Sequence, residues 1–249
     1  MLKRTDMNDI DEVFEKVSKD LYLTYLFEDA VFAIKKAMSN LTTESSVVEV
    51  GAAGGITKLL WPSVKTTDVR LGMGVDSHAD AQIEFAPKAS LDGIFGIDTL
   101  HHIVNPMAHF HAIENALKVG GQAVYIDPNF NLFSKFVFKY ALKYIHQEPY
   151  DSSNPGWELP SDSVLIGNQA QIFNIFIRDQ EIFQKEFPNL HVQIGPPLRG
   201  ISYLISGGVS SRLPISSKVL ISLSKFENKS KRWMAMFGLS RLVIITKLK

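Results

Sequence analysis

Between Asp9 and Met38, apolar residues recur every three or four positions (Val13, Phe14, Val17, Leu21, Tyr25, Phe32) with charges between them, a period that predicts two amphipathic helices. Residues 39–46 are polar and read as a linker. Beyond it the pattern becomes short apolar runs separated by helix-like segments. Val47 to Gly51 reads as a strand, Ile56 to Trp61 as a short helix stopped by Pro62, and Val64 to Val69 as a second strand. A third short strand is expected around Met73 to Asp76. Gly93 to Ile97 carries no charge, as suits a strand covered on both faces. Pro106 fits the first turn of a helix running to Val119, Gly120 and Gly121 end it, and Gln122 to Asp127 reads as the next strand. Alternation with short links predicts an α/β fold, a doubly wound Rossmann-like sheet whose ligand sits beyond the carboxyl ends of its strands.

Past Pro128 the rhythm changes. Phe130 to Ile145 is aromatic-rich and predicts a helix, and Glu148 to Ser163, rich in Pro, Ser, Asn and Gly, reads as an insertion. A helix over Gln169 to Phe187, a strand over His191 to Ile194, a loop from Tyr203 to Pro214, a helix over Ser216 to Phe226 and a last strand over Leu242 to Thr246 complete the expectation. The aromatic stripe Phe130, Phe133, Phe136, Phe138 and Tyr140 is expected to face the core. With Lys135, Lys139 and Lys143 on the same segment, a lipid-facing surface is the alternative.

Composition narrows this picture without redirecting it. At 249 residues, 45% hydrophobic and 21% charged, the chain fits one domain with a generous core. The expected division is an N-terminal helical cap over 1–40, a ligand-binding core over 45–130, an insertion over 130–180, and C-terminal strands and helix over 181–249. Twenty-six basic residues balance 26 acidic ones, which removes a whole-protein electrostatic argument for nucleic acid. There are no cysteines, so thiolate metal sites and cysteine nucleophiles are excluded, and a cytoplasmic location is expected. No integral membrane segment is expected, because no stretch reaches the roughly 18 apolar residues of a span.

The densest chemistry lies at residues 47–55, where an apolar run ends in Glu49 and then in Gly51, Ala52, Ala53, Gly54 and Gly55. Glycine takes positive φ without steric cost and lets another molecule approach the backbone. A helix starting at Ile56 would add its N-terminal amides and dipole. The motif resembles that of the class I S-adenosylmethionine-dependent methyltransferases, with Ala53 where the middle glycine is usual; an alanine fits there if its φ stays negative. Leu91 to His102, and Asn105-Pro106 through Leu117 to Gln122, are similar to the fourth strand, following loop and next helix of the small-molecule branch. Phe176 to Asp179, Phe187-Pro188 and Tyr203 to Ser210 look like a bacterial subgroup.

The resemblance implies a seven-stranded, mostly parallel sheet with an antiparallel last strand, and S-adenosyl-L-methionine as cofactor. It implies that Glu49, Gly51, Ala52, Ala53 and Gly55 hold the methionine part, that Asp80 and Ala81 meet the adenine, and that Asp98 precedes the meeting point of cofactor and acceptor. Asp76 and His78 compete for the place of Asp80, and the alternative for Asp98 is a helix N-cap. Asp68, seventeen residues beyond Gly51, lies near the offset at which nucleotide folds place a ribose-binding acid, the alternative being a turn cap. His102 and His101 are the candidate general bases, since an unperturbed imidazole titrates near pH 6.5 and could accept an acceptor's proton. Asp98 with Asp127 and Asn129 would be the ligands if Mg²⁺ were used, though a metal is not expected. Arg178, Tyr203 and Arg212 could touch an acceptor.

The expected function is methyl transfer to O or N of a small or carrier-linked polar acceptor, such as a saccharide or secondary metabolite, with a homodimer possible. The alternatives are a catalytically silent relative and an NAD(P)-dependent oxidoreductase, whose G-x-G-x-x-G order the chain lacks.

Overall fold

The computed structural model describes residues 10–38, 40–141, 149–159, 167–209 and 213–249. Arg212 and Lys143 lie outside them, as do residues 142–148 and 160–166 of the expected 130–180 insertion.

Seven strands form one sheet: β1 (Val47–Val50), β2 (Lys65–Asp68), β3 (Ser77–His78), β4 (Leu91–Ile97), β5 (Leu117–Pro128), β6 (Leu190–Leu198) and β7 (Ser240–Lys247). Their order is β3-β2-β1-β4-β5-β7-β6. The first five are parallel, and β7 runs antiparallel between β5 and β6. This is the doubly wound Rossmann-like sheet with an antiparallel last strand that the alternation and the resemblance predict. Period-two alternation sorts the side chains. Val48, Val50, Ile94, Ala123 and Tyr125 face one layer, and Val47, Phe95, Val124 and Ile126 face the other.

The second layer is built from α2 (Leu21–Ala37), whose Ala30 and Ile34 pack on the sheet together with Met38. Asp20 separates α2 from α1 (Ile10–Lys19) and accepts the Tyr22 N–H at 2.8 Å, an N-cap that starts the second helix where the first stops. α3 (Ile56–Leu60) follows β1. On the opposite face lies α4 (Pro106–Ala116), with Pro106 in its first turn and Asn105 capping Ala108 N–H at 2.9 Å. Phe110 of α4 centres an aromatic cluster, meeting Trp157, Phe176, Phe183 and Phe187 edge-on at 5.1–6.4 Å. That contact fastens the segment after β5 to the sheet.

Several expectations are corrected. The helix expected to run to Val119 ends at Ala116, because Leu117 already pairs with Leu91, and Gly120 and Gly121, expected to end the helix, lie within β5. The third strand is Ser77–His78, because residues 72–74 turn beneath α1 and Asp76 is held by Thr66 N–H at 2.9 Å. The helix expected from Phe130 is α5 (Leu132–Phe136) continued by a π-helical turn, Val137–Ala141. The one expected from Gln169 is broken into α6 (Gln171–Phe173), a π-helical turn (Asn174–Arg178) and α7 (Gln180–Glu186). The loop expected from Tyr203 contains α8 (Ile201–Ser206), ended by Gly207 at φ +77°. α9 (Ser217–Asn228) matches its prediction closely, and α10 (Lys231–Phe237), capped by Ser230, was not anticipated. The aromatic stripe is split: Phe138 is buried, whereas Phe136 and Tyr140 face solvent.

Candidate functional site

β1 ends at Val50, and Gly51 turns the chain at φ +66°. A Cβ on Gly51 would stand 2.4 Å from Thr99 Cγ2, so the position excludes every side chain. Ala53 adopts φ +46°, which corrects the expectation of a negative angle; its left-handed backbone costs an L-residue about 1–2 kcal/mol. What holds it there is Asp68, whose Oδ2 accepts the Ala53 N–H at 2.8 Å. Gly55 is at φ +69°, and a Cβ there would lie 2.0 Å from the Gly74 carbonyl oxygen. A Cβ on Gly54 would meet the Ile10 carbonyl oxygen at 2.9 Å. The close approach that these last two glycines allow is therefore to the protein's own backbone, at α1 and residues 72–74. α3 is only five residues long, so its dipole adds little.

Glu49 lies under this turn, 3% exposed, and accepts the Thr57 hydroxyl from α3. Burial pushes its carboxyl up to about 8, against the Thr57 bond and helped by the charge of Asp68. Asp68, at the end of β2 and equally buried, accepts Arg70 N–H at 2.9 Å through its other oxygen. Its carboxylate thus bridges the glycine turn and the loop after β2.

Beyond β3, Asp80 accepts the backbone and side-chain N–H groups of Gln82 at 2.9 and 3.1 Å, and Ala81 is buried. The rival acid Asp76 is engaged by Lys58 at 2.6 Å, and His78 is exposed. The Ala81 carbonyl accepts His109 Nδ1–H at 2.7 Å, which leaves Nε2 to accept the Tyr125 hydroxyl at 2.9 Å. Burial pushes this imidazole down to about 4, against the Ala81 bond and the charge of Asp80. His109 is thus a neutral strut between the loop after β3 and the centre of β5.

After β4 comes Asp98, at φ +53°. It is not the cap of the following 3₁₀ turn, Leu100–His102, whose N-cap is Thr99. Instead it pairs with Arg199 Nη1 at 2.7 and 2.5 Å. Arg199, itself at φ +53°, is buried at the end of β6 and stacks over Tyr203 at 5.3 Å. Burial works against its charge, but the Asp98 carboxylate overcomes this and holds the guanidinium firmly protonated.

Leu100 is buried and points inward. His101 Nδ1 lies 2.6 Å from Asp127 Oδ1, and Asp127 also accepts the Leu100 and His101 backbone N–H groups at 3.1 and 3.0 Å. The end of β5 thereby fixes the turn after β4. The His102 ring lies tilted by 39° against that of His101, with ring centroids 4.1 Å apart, and is less buried. A Cβ on Gly167 would lie 3.0 Å from His101 and 3.1 Å from His102, so Gly167 packs directly against the pair. Asn129 Oδ1 accepts Arg241 Nε–H at 3.1 Å and its amide donates to Gly238. The donors of an Asp98–Asp127–Asn129 metal set are therefore spent on three different partners. Among the described residues no cluster of three metal-ligating side chains occurs. Arg178 binds Asp179, Ser152 and Asn154 within its own segment.

The sequence-predicted residues thus gather at the carboxyl ends of β1, β2 and β4 and in the loop after β3. What sequence reasoning missed are their partners. Thr57, His109 and Arg199 belong to no motif, and Asp127 stands out in the sequence only as a metal ligand. Only Thr99, adjoining Asp98, was within reach of the motif.

No protein-family model matches the chain, and no curated protein matches it in sequence. Solved structures share its fold. A protein named as a methyltransferase from an antibiotic biosynthesis pathway of Anabaena variabilis superposes with a TM-score of 0.51 at 15% identity, over 88% of this chain and 96% of that one. The CurJ carbon methyltransferase superposes at 0.50 and 13% identity, over 98% of this chain and 59% of that one. A SAM dependent methyltransferase from Archaeoglobus fulgidus gives 0.49 at 15% identity, over 88% and 94%. At these identities the first two likenesses establish the fold alone.

Proposed function

We propose that the protein is an S-adenosylmethionine-dependent methyltransferase that methylates O or N of a small or carrier-linked polar acceptor. One observation carries the reading: a buried, protonatable Glu49 lies beneath a glycine turn at the carboxyl end of β1, in a seven-stranded sheet whose fold solved methyltransferase structures share. The dinucleotide-binding order 3-2-1-4-5-6 has no antiparallel strand inserted before its edge, which counts against the oxidoreductase.

S-adenosylmethionine would bring an activated methyl group on a cationic sulfur. Glu49, once ionised, offers the opposite charge at the turn, with Gly51, Ala52, Ala53 and Gly55 shaping the backbone around it. Asp68 would meet the ribose from the end of β2, and Asp80 and Ala81 the adenine. Asp98, anchored by Arg199, marks the acceptor side. His102 takes the proton released by the acceptor's hydroxyl or amine, and His101, clamped by Asp127, is its positioning residue. Alignment of the reactants can contribute roughly 7–11 kcal/mol and a general base about 10²–10⁴-fold, so the residues need only place, shield and deprotonate.

Calorimetric titration with S-adenosylmethionine and with NAD tests the cofactor: binding of the first but not the second is expected, and the reverse overturns the proposal. A second reading, a silent relative, is favoured by one observation: Asp68 and Asp98 already spend their carboxylates on protein partners. His102→Ala should lower turnover by about 10²-fold or more with the cofactor Kd unchanged. Cofactor binding without turnover of any acceptor by the wild type would instead support the silent relative.

A further inference from the structure

The outward side of the segment after β5 has no counterpart in the chemistry above. Leu132, Phe136 and Tyr140 stand four residues apart and are 88%, 61% and 56% exposed, while Ser134, Val137 and Phe138 between them are buried. The buried set pins the segment, so the outward set cannot rotate into the core. α10 packs alongside: Phe133 meets Phe237 with ring centroids at 5.2 Å, and Asn131 donates to the Ala235 carbonyl at 3.2 Å. Met236 of that helix is 61% exposed. An apolar strip on two adjoining helices is thus left uncovered.

The charges beside it have one sign. Lys139, Lys229, Lys231 and Arg232 are exposed, Lys135 is half-buried, and residues 129–141 and 228–238 contain no Asp or Glu. In a chain with 26 bases and 26 acids this is a marked local asymmetry. We propose that this face docks on the surface of an anionic phospholipid bilayer. Apolar side chains projecting between lysines suit the boundary of headgroups and acyl chains: the strip enters and the cationic ends stay with the phosphates. A folded protein partner would need fixed acidic complements, whereas lipid headgroups adjust to a short, flexible set of lysines. No described helix is long and apolar enough to cross a membrane, so the association is peripheral. With so few side chains the binding is reversible and falls with salt.

Vesicle co-sedimentation of the full chain tests this, using equal parts phosphatidylglycerol and phosphatidylcholine against phosphatidylcholine alone. Binding is expected to the anionic vesicles only. Lys139→Gln and Lys231→Gln should each weaken it roughly fivefold, and Leu132→Ser with Phe136→Ser by about tenfold or more. All four side chains are exposed, so unchanged melting temperatures should accompany these losses. Equal binding to neutral vesicles, no binding to anionic ones, or binding indifferent to the substitutions overturns the proposal. Self-association in sedimentation velocity that Phe136→Ser abolishes, without vesicle binding, would assign the face to a second copy of the chain instead.

Discussion

Glu49 gives the most demanding prediction, because its burial couples folding to pH in the direction opposite to most carboxylates. In the unfolded chain its proton leaves near 4.5, and in the folded protein near 8. Between those values the unfolded state binds fewer protons, so stability falls as pH rises through the window. At about 1.4 kcal/mol per pKa unit, the contribution lost between pH 5.5 and 8 is about 3 kcal/mol. Glu49→Gln keeps the shape and a hydrogen-bonding group toward Thr57 but cannot ionise. Urea denaturation across this range should therefore show the variant gaining on the wild type by about 3 kcal/mol from pH 5.5 to 8, whatever its offset at low pH. In thermal melts the Tm of the variant relative to the wild type should rise by roughly 6–12 °C over the same range. Other titrating groups are common to both proteins and cancel in the difference. Parallel stability curves would refute the burial argument outright.

The same carboxyl has a second readout under the proposed function. A cationic ligand that needs Glu49 ionised must displace its proton, so affinity should rise up to about tenfold per pH unit until pH 8 and then level off. Calorimetry in buffers of different ionisation enthalpy would register the released proton, and Glu49→Gln should abolish that release. A pH-independent Kd in the wild type would separate Glu49 from the ligand while leaving the stability prediction standing.

Three further outcomes follow from the geometry. Ala53→Gly should stabilise the fold by about 1 kcal/mol in denaturant titrations, since it relieves the left-handed strain at φ +46° while adding unfolded-state entropy. His109 stays neutral down to about 4 in the folded protein, so its contribution is complete above pH 6.5 and lost as pH falls from 6.5 to 4, by about 3 kcal/mol; in His109→Gln that part of the acid slope should vanish. Phe110→Ala should cost about 3–5 kcal/mol and raise proteolysis of the segment around Trp157, whose packing it centres. Loss of stability without that local sensitivity would show the segment to be anchored elsewhere.

How legible the fold was depended on length. Strands such as Leu91–Ile97 and helices such as Ser217–Asn228 carry enough periods to declare themselves, and Asn105-Pro106 marks a helix start, whereas Gly120-Gly121 misleads as a helix end because both glycines lie within β5. Ser77–His78 is two residues long and has no period to read. Ile201–Ser206 and Lys231–Phe237 complete only one or two turns, and there the end signals were present but unweighted: Gly207 after the first, Ser230 before the second. The aromatic stripe misled because aromatic content does not say which side of a helix is inward. The alternation of Ser134, Val137 and Phe138 with Leu132, Phe136 and Tyr140 does, once the helix they share is known.

The candidate site was legible as single residues and not as pairs. A motif could mark Glu49, Asp68, Asp98 and the two histidines, because each stands near a strand end or in the turn that follows it. It could not show that Asp98 is tied to Arg199 101 residues on, nor that Asp127 clamps His101 across 26. Those pairings bear directly on the strain. The four non-glycine residues at positive φ among those described are Ala53, Ala89, Asp98 and Arg199, and three of them lie at the carboxyl edge of the sheet or are bonded to it. Asp68 fixes the Ala53 amide, and the ion pair fixes Asp98 and Arg199 together. A left-handed backbone persists where its surroundings over-determine it, and each of these three residues is held by one named charged group. Strain with so specific a restraint is released if the restraint goes. Removing Asp68 or Arg199 should thus loosen the turn after β1 or β4 locally, as faster amide exchange at residues 51–55 or 98–102, before it lowers global stability.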